Sequence, residues 1–172
     1  MSPRLIISAL VVLLPFANGT ARAEDSKEKA ASVREEDGKH FDADGNPTFK
    51  IENGVVDWYT FSGYRRYHAD CHVCHGPDGE GSSYAPALAK SMKNIDYGTF
   101  LSIVAEGRKN VGGGKESVMP AFGDNKNVYC YMDDLYIYLR ARAVGAAPRG
   151  RPPKKADKPE AAKAQEASCM GG

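Results

Sequence analysis

The chain has 172 residues, a formal net charge of +1 and charged side chains at 26% of its positions. A balance so close to neutral gives no support to nucleic-acid binding, which shows as a basic patch or stripe. No apolar run reaches the roughly twenty residues that a membrane-spanning helix needs.

Arg4 is a short positive start, Leu5 to Phe16 is apolar, and Ala21-Arg22-Ala23 is an A-x-A cleavage site. Residues 1–23 therefore read as a secretory signal peptide, with an uncleaved anchor as the alternative. The mature chain is expected to begin near Glu24, in the periplasm. Its charge is uneven: residues 24–45 hold four basic and eight acidic groups, 46–145 hold eleven of each, and 146–172 hold six and three. An acidic arm, a neutral body and a basic tail follow.

Residues 24–40 have almost no bulky apolar groups and are expected to stay mobile. From His40 to Trp58, apolar residues are broken by Asp44-Gly45-Asn46-Pro47 and Glu52-Asn53-Gly54, so the rest of the arm (24–57) reads as extended chain or a small hairpin. Asp42 to Asn46 resembles a calcium loop only briefly, because its glycine is at the fourth position rather than the sixth. The body spans 58–145. A first helix is expected over about Tyr59 to Ala69, with Gly63 and Tyr67 on one face.

Cys71-His72-Val73-Cys74-His75 follows that helix. Two thiols at this spacing can each add across one vinyl group of a haem, and the adjacent histidine then lies under the iron. C-x-x-C-H is the attachment pattern of c-type haem, and a neutral imidazole is a standard proximal ligand. Zinc binding or thiol redox chemistry are the alternatives for the two cysteines. One covalently attached haem c, and its iron, is the predicted cofactor.

Apolar residues at 3–4 spacing predict a second helix over Tyr97 to Glu106, closed by Gly107. A last helix follows, with Asn127 as its cap and Gly145 as its stop. Its inward stripe is Val128, Tyr131, Met132, Leu135, Tyr138, Leu139 and Arg142; Cys130, Asp134 and Ile137 fall off it. Residues 146–172 carry no stripe and read as an irregular tail.

The sixth iron position determines the chemistry. Met119 is the candidate, in Val118-Met119-Pro120-Ala121-Phe122 after Gly112-Gly113-Gly114. Glycines permit tight turns across a flat macrocycle, and the following proline restricts Met119 to extended geometry. A core role for Met119 is the alternative, and Met92, in a polar segment, is the weaker candidate. Thioether ligation raises the reduction potential and fills the site where oxygen or peroxide would bind, so both consequences point to electron transfer. His68 and His72 flank the motif and are expected to face solvent. No phosphate loop, hydrolase elbow or H-E-x-x-H motif is present, and no catalytic residue is expected.

Four stretches together resemble the class I c-type cytochromes: CHVCHGPDGEGSSYAPAL from Cys71, VMPAF around Met119, GYRRY from Gly63 and DLYIYL from Asp134. They span about residues 58–143. The resemblance implies an all-α fold of three to five helices wrapped around one covalently bound haem, with Gly63 and Tyr67 meeting the 135–139 region. It also implies that the Pro86 carbonyl accepts the His75 imidazole N–H, a bond that orients the ring. The longer stretch from Asp44 to Leu88, with two further cysteines downstream, is similar to four-cysteine, methanol-metabolism-related periplasmic cytochromes. That similarity implies a PQQ-dependent methanol or alcohol dehydrogenase as electron donor, and another c-type cytochrome or an oxidase as acceptor.

With Cys71 and Cys74 committed to haem, Cys130 and Cys169 remain. In an oxidising compartment they are expected to pair, with free thiols or an intermolecular bridge as alternatives. Lys90, Lys93, Lys115 and Lys126 are candidates to rim a docking surface. Two other readings are carried forward: a peroxidase or gas sensor with a labile sixth ligand, and a cytochrome subunit bound to a dehydrogenase.

Overall fold

The computed structural model of the chain describes residues 27–112 and 115–171. The signal peptide expected over 1–23 lies outside the described residues, as do Gly113 and Gly114. Helix α1 (Trp58–Arg66) starts at Asp57, whose carboxylate accepts the Thr60 N–H and Oγ1 and the Lys50 N–H. One side chain thus caps the helix and ties it to the preceding hairpin. The helix runs on through a π-helical turn (Tyr67–Cys71) into the single turn α2 (His72–His75).

Helix α3 (Leu88–Ser91) and helix α4 (Tyr97–Glu106) follow, the latter capped by Asp96 and closed by Gly107 at φ 75°. The last expected helix is two pieces, α5 (Lys126–Tyr129) and α6 (Met132–Ala143), separated at Cys130 and Tyr131. Its cap is Asn125, which accepts the Asn127 N–H, rather than Asn127 itself.

Helices α1 and α6 make the central crossing, and its closeness depends on Gly63. A Cβ on that glycine would lie 1.9 Å from the Asp134 carbonyl oxygen and 2.8 Å from Tyr138 Cβ. The inward stripe of α6 then packs with Tyr67, Met92, Phe100 and Val104 in the main core.

An all-α description is incomplete. Short strands β1 (Arg34–Glu36), β2 (Lys39–Phe41) and β3 (Pro47–Thr48) form an antiparallel sheet, and β4 (Ile51–Glu52) with β5 (Val55–Val56) forms a hairpin. Strands β6 (Arg108–Gly112) and β7 (Lys115–Met119) make a second hairpin leading to Pro120. The arm is held in place from residue 30 onward. Thr48 Oγ1 donates to Ala30 O at 2.6 Å, and Arg140 of α6 reaches Asp42, Pro47 O and Lys29 O. The Asp42 carboxylate also accepts the Asp44 and Asn46 N–H groups, so this stretch is a plain turn, in keeping with the misplaced glycine. Low apolar content hid this docking, because the arm is held by polar contacts that leave no hydrophobic period.

The tail is a second correction. Strand β8 (Lys154–Lys155) joins β5 in parallel, and helix α7 (Glu160–Met170) lies over the outer side of α6. Alanine-rich sequence supplies helix propensity without a large apolar stripe, which explains why periodicity missed it. Ala162 packs with Tyr59 and Ile137 in a smaller core flanked by Phe49 and Trp58. Cys130, Asp134 and Ile137, which fall off the inward stripe, are buried as well; the tail accounts for Cys130 and Ile137, whereas Asp134 lies against Ser62 and Gly63 of α1. Among the described residues, no helix is long and apolar enough to cross a membrane.

Cys130 and Cys169 form a disulfide that pins α7 in place. Because the enclosed segment is ordered, most of the loop-closure effect should be realised, about 3 kcal/mol. Cys169→Ser is expected to lower the denaturation midpoint accordingly. Two titratable thiols on denatured holoprotein would show the bridge to be absent.

Burial pushes the Asp134 carboxyl up to about 7, with Ser62 and Lys39 opposing and Asp133 and Asp57 adding. The folded protein therefore holds a proton that the unfolded chain releases near 4. Its contribution to stability is complete below pH 4 and is lost as pH rises through 7. The loss is at most about 4 kcal/mol, from three units at ~1.4 each. Asp134→Asn should match the parent at pH 4 and exceed it at pH 8. Equal urea midpoints at pH 8 would refute this assignment.

Candidate functional site

The two candidate haem cysteines lie where the π turn gives way to α2. Three positions apart, they project from neighbouring points of one helical surface. Both sulfurs are free; Cys71 is partly buried and Cys74 exposed. Burial, followed by Asp70 and Cys74, pushes the Cys71 thiol up to about 12. Catalytic Cys-x-x-Cys pairs instead have stabilised thiolates, so this environment does not suit thiol exchange. Zinc fares no better, since among the described residues no group of three or more His, Cys, Asp or Glu could hold a metal ion.

His75 ends α2 with 8% exposure, and its Nδ1–H donates to Pro86 O at 3.0 Å. That bond selects the tautomer, leaving the Nε2 lone pair available to a metal. The intervening loop is compact. Gly81 N–H donates to His75 O at 2.7 Å, and a Cβ on Gly76 would lie 2.2 Å from Gly81 O. Tyr67, buried in the core, donates its hydroxyl to Gly76 O at 2.5 Å.

Met119 closes β7 and packs, partly buried, against the same core cluster as Cys71. Its backbone is held against the end of α4. Phe122 N–H and Gly123 N–H donate to Val104 O and Ala105 O, both at 3.0 Å. Gly107 is required there, because a Cβ would meet Met119 O at 2.6 Å and Ala121 N at 2.8 Å. Met92, expected in polar surroundings, is instead 7% exposed in that cluster. Burial alone therefore does not separate the two methionines; the pinned loop favours Met119.

His68 does not face solvent as expected. It is half-buried, its ring tilted 40° to that of Tyr64, and its Nε2 lies 3.5 Å from Asp78 Oδ1. Asp78 is the residue that sequence reasoning missed, and Arg142, expected on the inward stripe, had no partner assigned to it. Asp78 within Gly76-Pro77-Asp78-Gly79 was the available signal, since an acid between turn glycines often has a local partner. Of the four lysines expected to rim a docking surface, Lys90, Lys93 and Lys126 are exposed, and Lys126 also reaches Met170 O at the end of α7. The Lys115 side chain lies outside the described residues.

A free Cys-x-x-Cys pair, an oriented imidazole and a pinned methionine loop in a helical wrap fit a haem c. The fold and this donor set define a class I c-type cytochrome, and the chain belongs to that family. It is 59% identical over 138 residues to cytochrome c-553I of Paracoccus denitrificans, a match covering 80% of this chain and 61% of that protein's length. It is 38% identical over 96 residues to cytochrome c-555 of Methylococcus capsulatus, covering 55% of this chain and 72% of the other. The crystal structure of c-type cytochrome XoxG from Methylobacterium extorquens AM1 superposes with a TM-score of 0.81 at 59% identity, covering 85% of this chain and 90% of that one. Residues 61–139 match the family described as cytochrome c oxidase, cbb3-type, subunit III. Family membership implies a covalently bound haem c with its iron, which cycles between ferric and ferrous states. Electron transfer, not catalysis, is the activity of this family.

Proposed function

We propose that this protein is a periplasmic monohaem carrier that accepts single electrons from a quinoprotein methanol or alcohol dehydrogenase. It then passes them to another c-type cytochrome or a terminal oxidase. Cys71 and Cys74 hold the porphyrin, His75 supplies the proximal nitrogen and Met119 the distal thioether. The carrier assignment rests chiefly on His75, whose Nδ1–H is committed to Pro86 at 3.0 Å beside two free sulfurs. The alcohol context rests on the likeness of residues 44–88, with two downstream cysteines, to methanol-related cytochromes.

Transient carriers dock through small interfaces with electrostatic guidance. Exposed Lys90 and Lys93 suit that role. The decisive measurement is reduction of ferric holoprotein mixed with a purified quinoprotein dehydrogenase and its alcohol. Rapid alcohol-dependent reduction that slows with added salt is the expected result. Reduction no faster than without enzyme, across methanol and longer-chain alcohol dehydrogenases, would sink the donor assignment while leaving the haem site intact.

A further inference from the structure

One buried carboxylate just beyond the haem motif gathers contacts from three distant parts of the chain. Asp78 is 5% exposed and sits at φ 58°, a left-handed conformation that non-glycine residues seldom adopt. Its Oδ1 accepts the Tyr138 hydroxyl at 3.3 Å and the Gly150 N–H at 3.0 Å, and lies 3.5 Å from His68 Nε2. Its Oδ2 is 3.7 Å from Arg149 Nε. Its backbone carbonyl accepts Arg142 Nε at 3.1 Å. Helix α6, the tail and the helix preceding the haem cysteines therefore all converge on the loop that joins His75 to Pro86.

The two arginines beside Asp78 are engaged elsewhere or screened. Arg142 spends one nitrogen on Glu80 at 2.6 Å and another on Ala147 O. Arg149 is 65% exposed, where solvent screens its effect. Hydroxyl and amide dipoles are thus the closest compensation for the carboxylate. Around His68, Tyr64 lies tilted, Tyr67 edge-on and His72 stacked, and none of them adds a carboxylate.

We propose that Asp78 is a positioning residue for electron transfer. Its contacts lock the loop that orients the His75–Pro86 pair, and its buried negative charge favours the ferric state. An electron arriving from the donor adds negative charge at the iron, which a nearby carboxylate in low dielectric opposes. No bond forms or breaks in that step. The inference rests on the haem reading of Cys71, Cys74 and His75, and failure of that reading would already show in the wild-type absorption spectrum.

Asp78→Asn keeps the shape and much of the hydrogen bonding but removes the charge. Titrated against redox dyes at neutral pH, it should raise the ferrous-to-ferric ratio at fixed poise by about threefold or more. The long-wavelength iron–methionine absorption should persist. Tyr138→Phe keeps the charge but deletes its hydroxyl donor, so the ratio should fall. Opposite signs are the signature of a charge effect, because simple loosening of the site would lower the ratio in both variants and bleach the band. An unchanged or lowered ratio in Asp78→Asn overturns the proposal. Should that variant be too unstable to titrate, Tyr138→Phe decides: a fall with the band intact supports the proposal, and an unchanged or raised ratio overturns it.

Discussion

Met119→Ala holoprotein should lose its long-wavelength ferric absorption, drop in reduction potential and bind carbon monoxide readily when reduced. A thioether is a soft, neutral ligand that favours ferrous iron, so its removal opens the distal position and withdraws that preference together. The matched variant is Met92→Ala. Met92 is 7% exposed in the main core, so truncating it should cost about 2–5 kcal/mol of stability while leaving the absorption and the ligand resistance unchanged. This pair separates a ligand from a packing residue, which burial does not. If Met92→Ala bleaches the band and Met119→Ala retains it, the axial assignment is reversed. Rapid carbon monoxide binding by the unmodified ferrous protein would instead favour a peroxidase or gas sensor.

Gly63→Ala should be severely destabilising although alanine is the better helix former. Propensity favours alanine by about 1 kcal/mol in a helix interior. Against that, the new methyl would sit 1.9 Å from the Asp134 carbonyl oxygen and 2.5 Å from its carbon. Those atoms belong to backbone and cannot rotate away, so α1 and α6 must separate along the main core. Overpacking of this kind costs typically 1–3 kcal/mol and occasionally more, and the rigid neighbour places this site at or above the upper end. A net loss of about 3 kcal/mol in urea unfolding is expected. Gly98→Ala is the control: its Cβ would meet only Asp96 Oδ1, at 3.5 Å, so that change should be neutral or slightly stabilising. Equal midpoints for the two variants would show that the helix crossing does not depend on close approach.

Where the chain announces itself and where it stays silent follows from the kind of interaction involved. Helix α4 was legible from Tyr97 through Gly107 because apolar spacing and a positive-φ stop act locally. The haem motif was legible because covalent chemistry demands fixed spacing. Long-range polar contacts left no such trace. Arg140 reaches back to Asp42, and Arg142 to Asp78 and Glu80; spacing placed Arg142 on the inward stripe but named no partner for it, and nothing in a linear pattern set Arg140 apart from a solvated arginine. The tail was misread for a related reason: small alanines need a preformed surface, here Tyr59 and Ile137, before they count as core. His68 was misplaced because its partner Asp78 lies beyond the motif it precedes.

The four cysteines are sorted into two fates by geometry rather than by order along the chain. One pair must remain reduced until porphyrin arrives, whereas Cys130 and Cys169 are joined oxidatively. Cys169 lies 39 residues beyond Cys130, so both haem thiols emerge well before that pair can form. In the oxidising space proposed for this protein, maturation becomes a race in which premature scrambling with the earlier thiols is the hazard. In the compartment proposed for this protein, one cysteine pair would call for a reductant working beside an oxidant that serves the other.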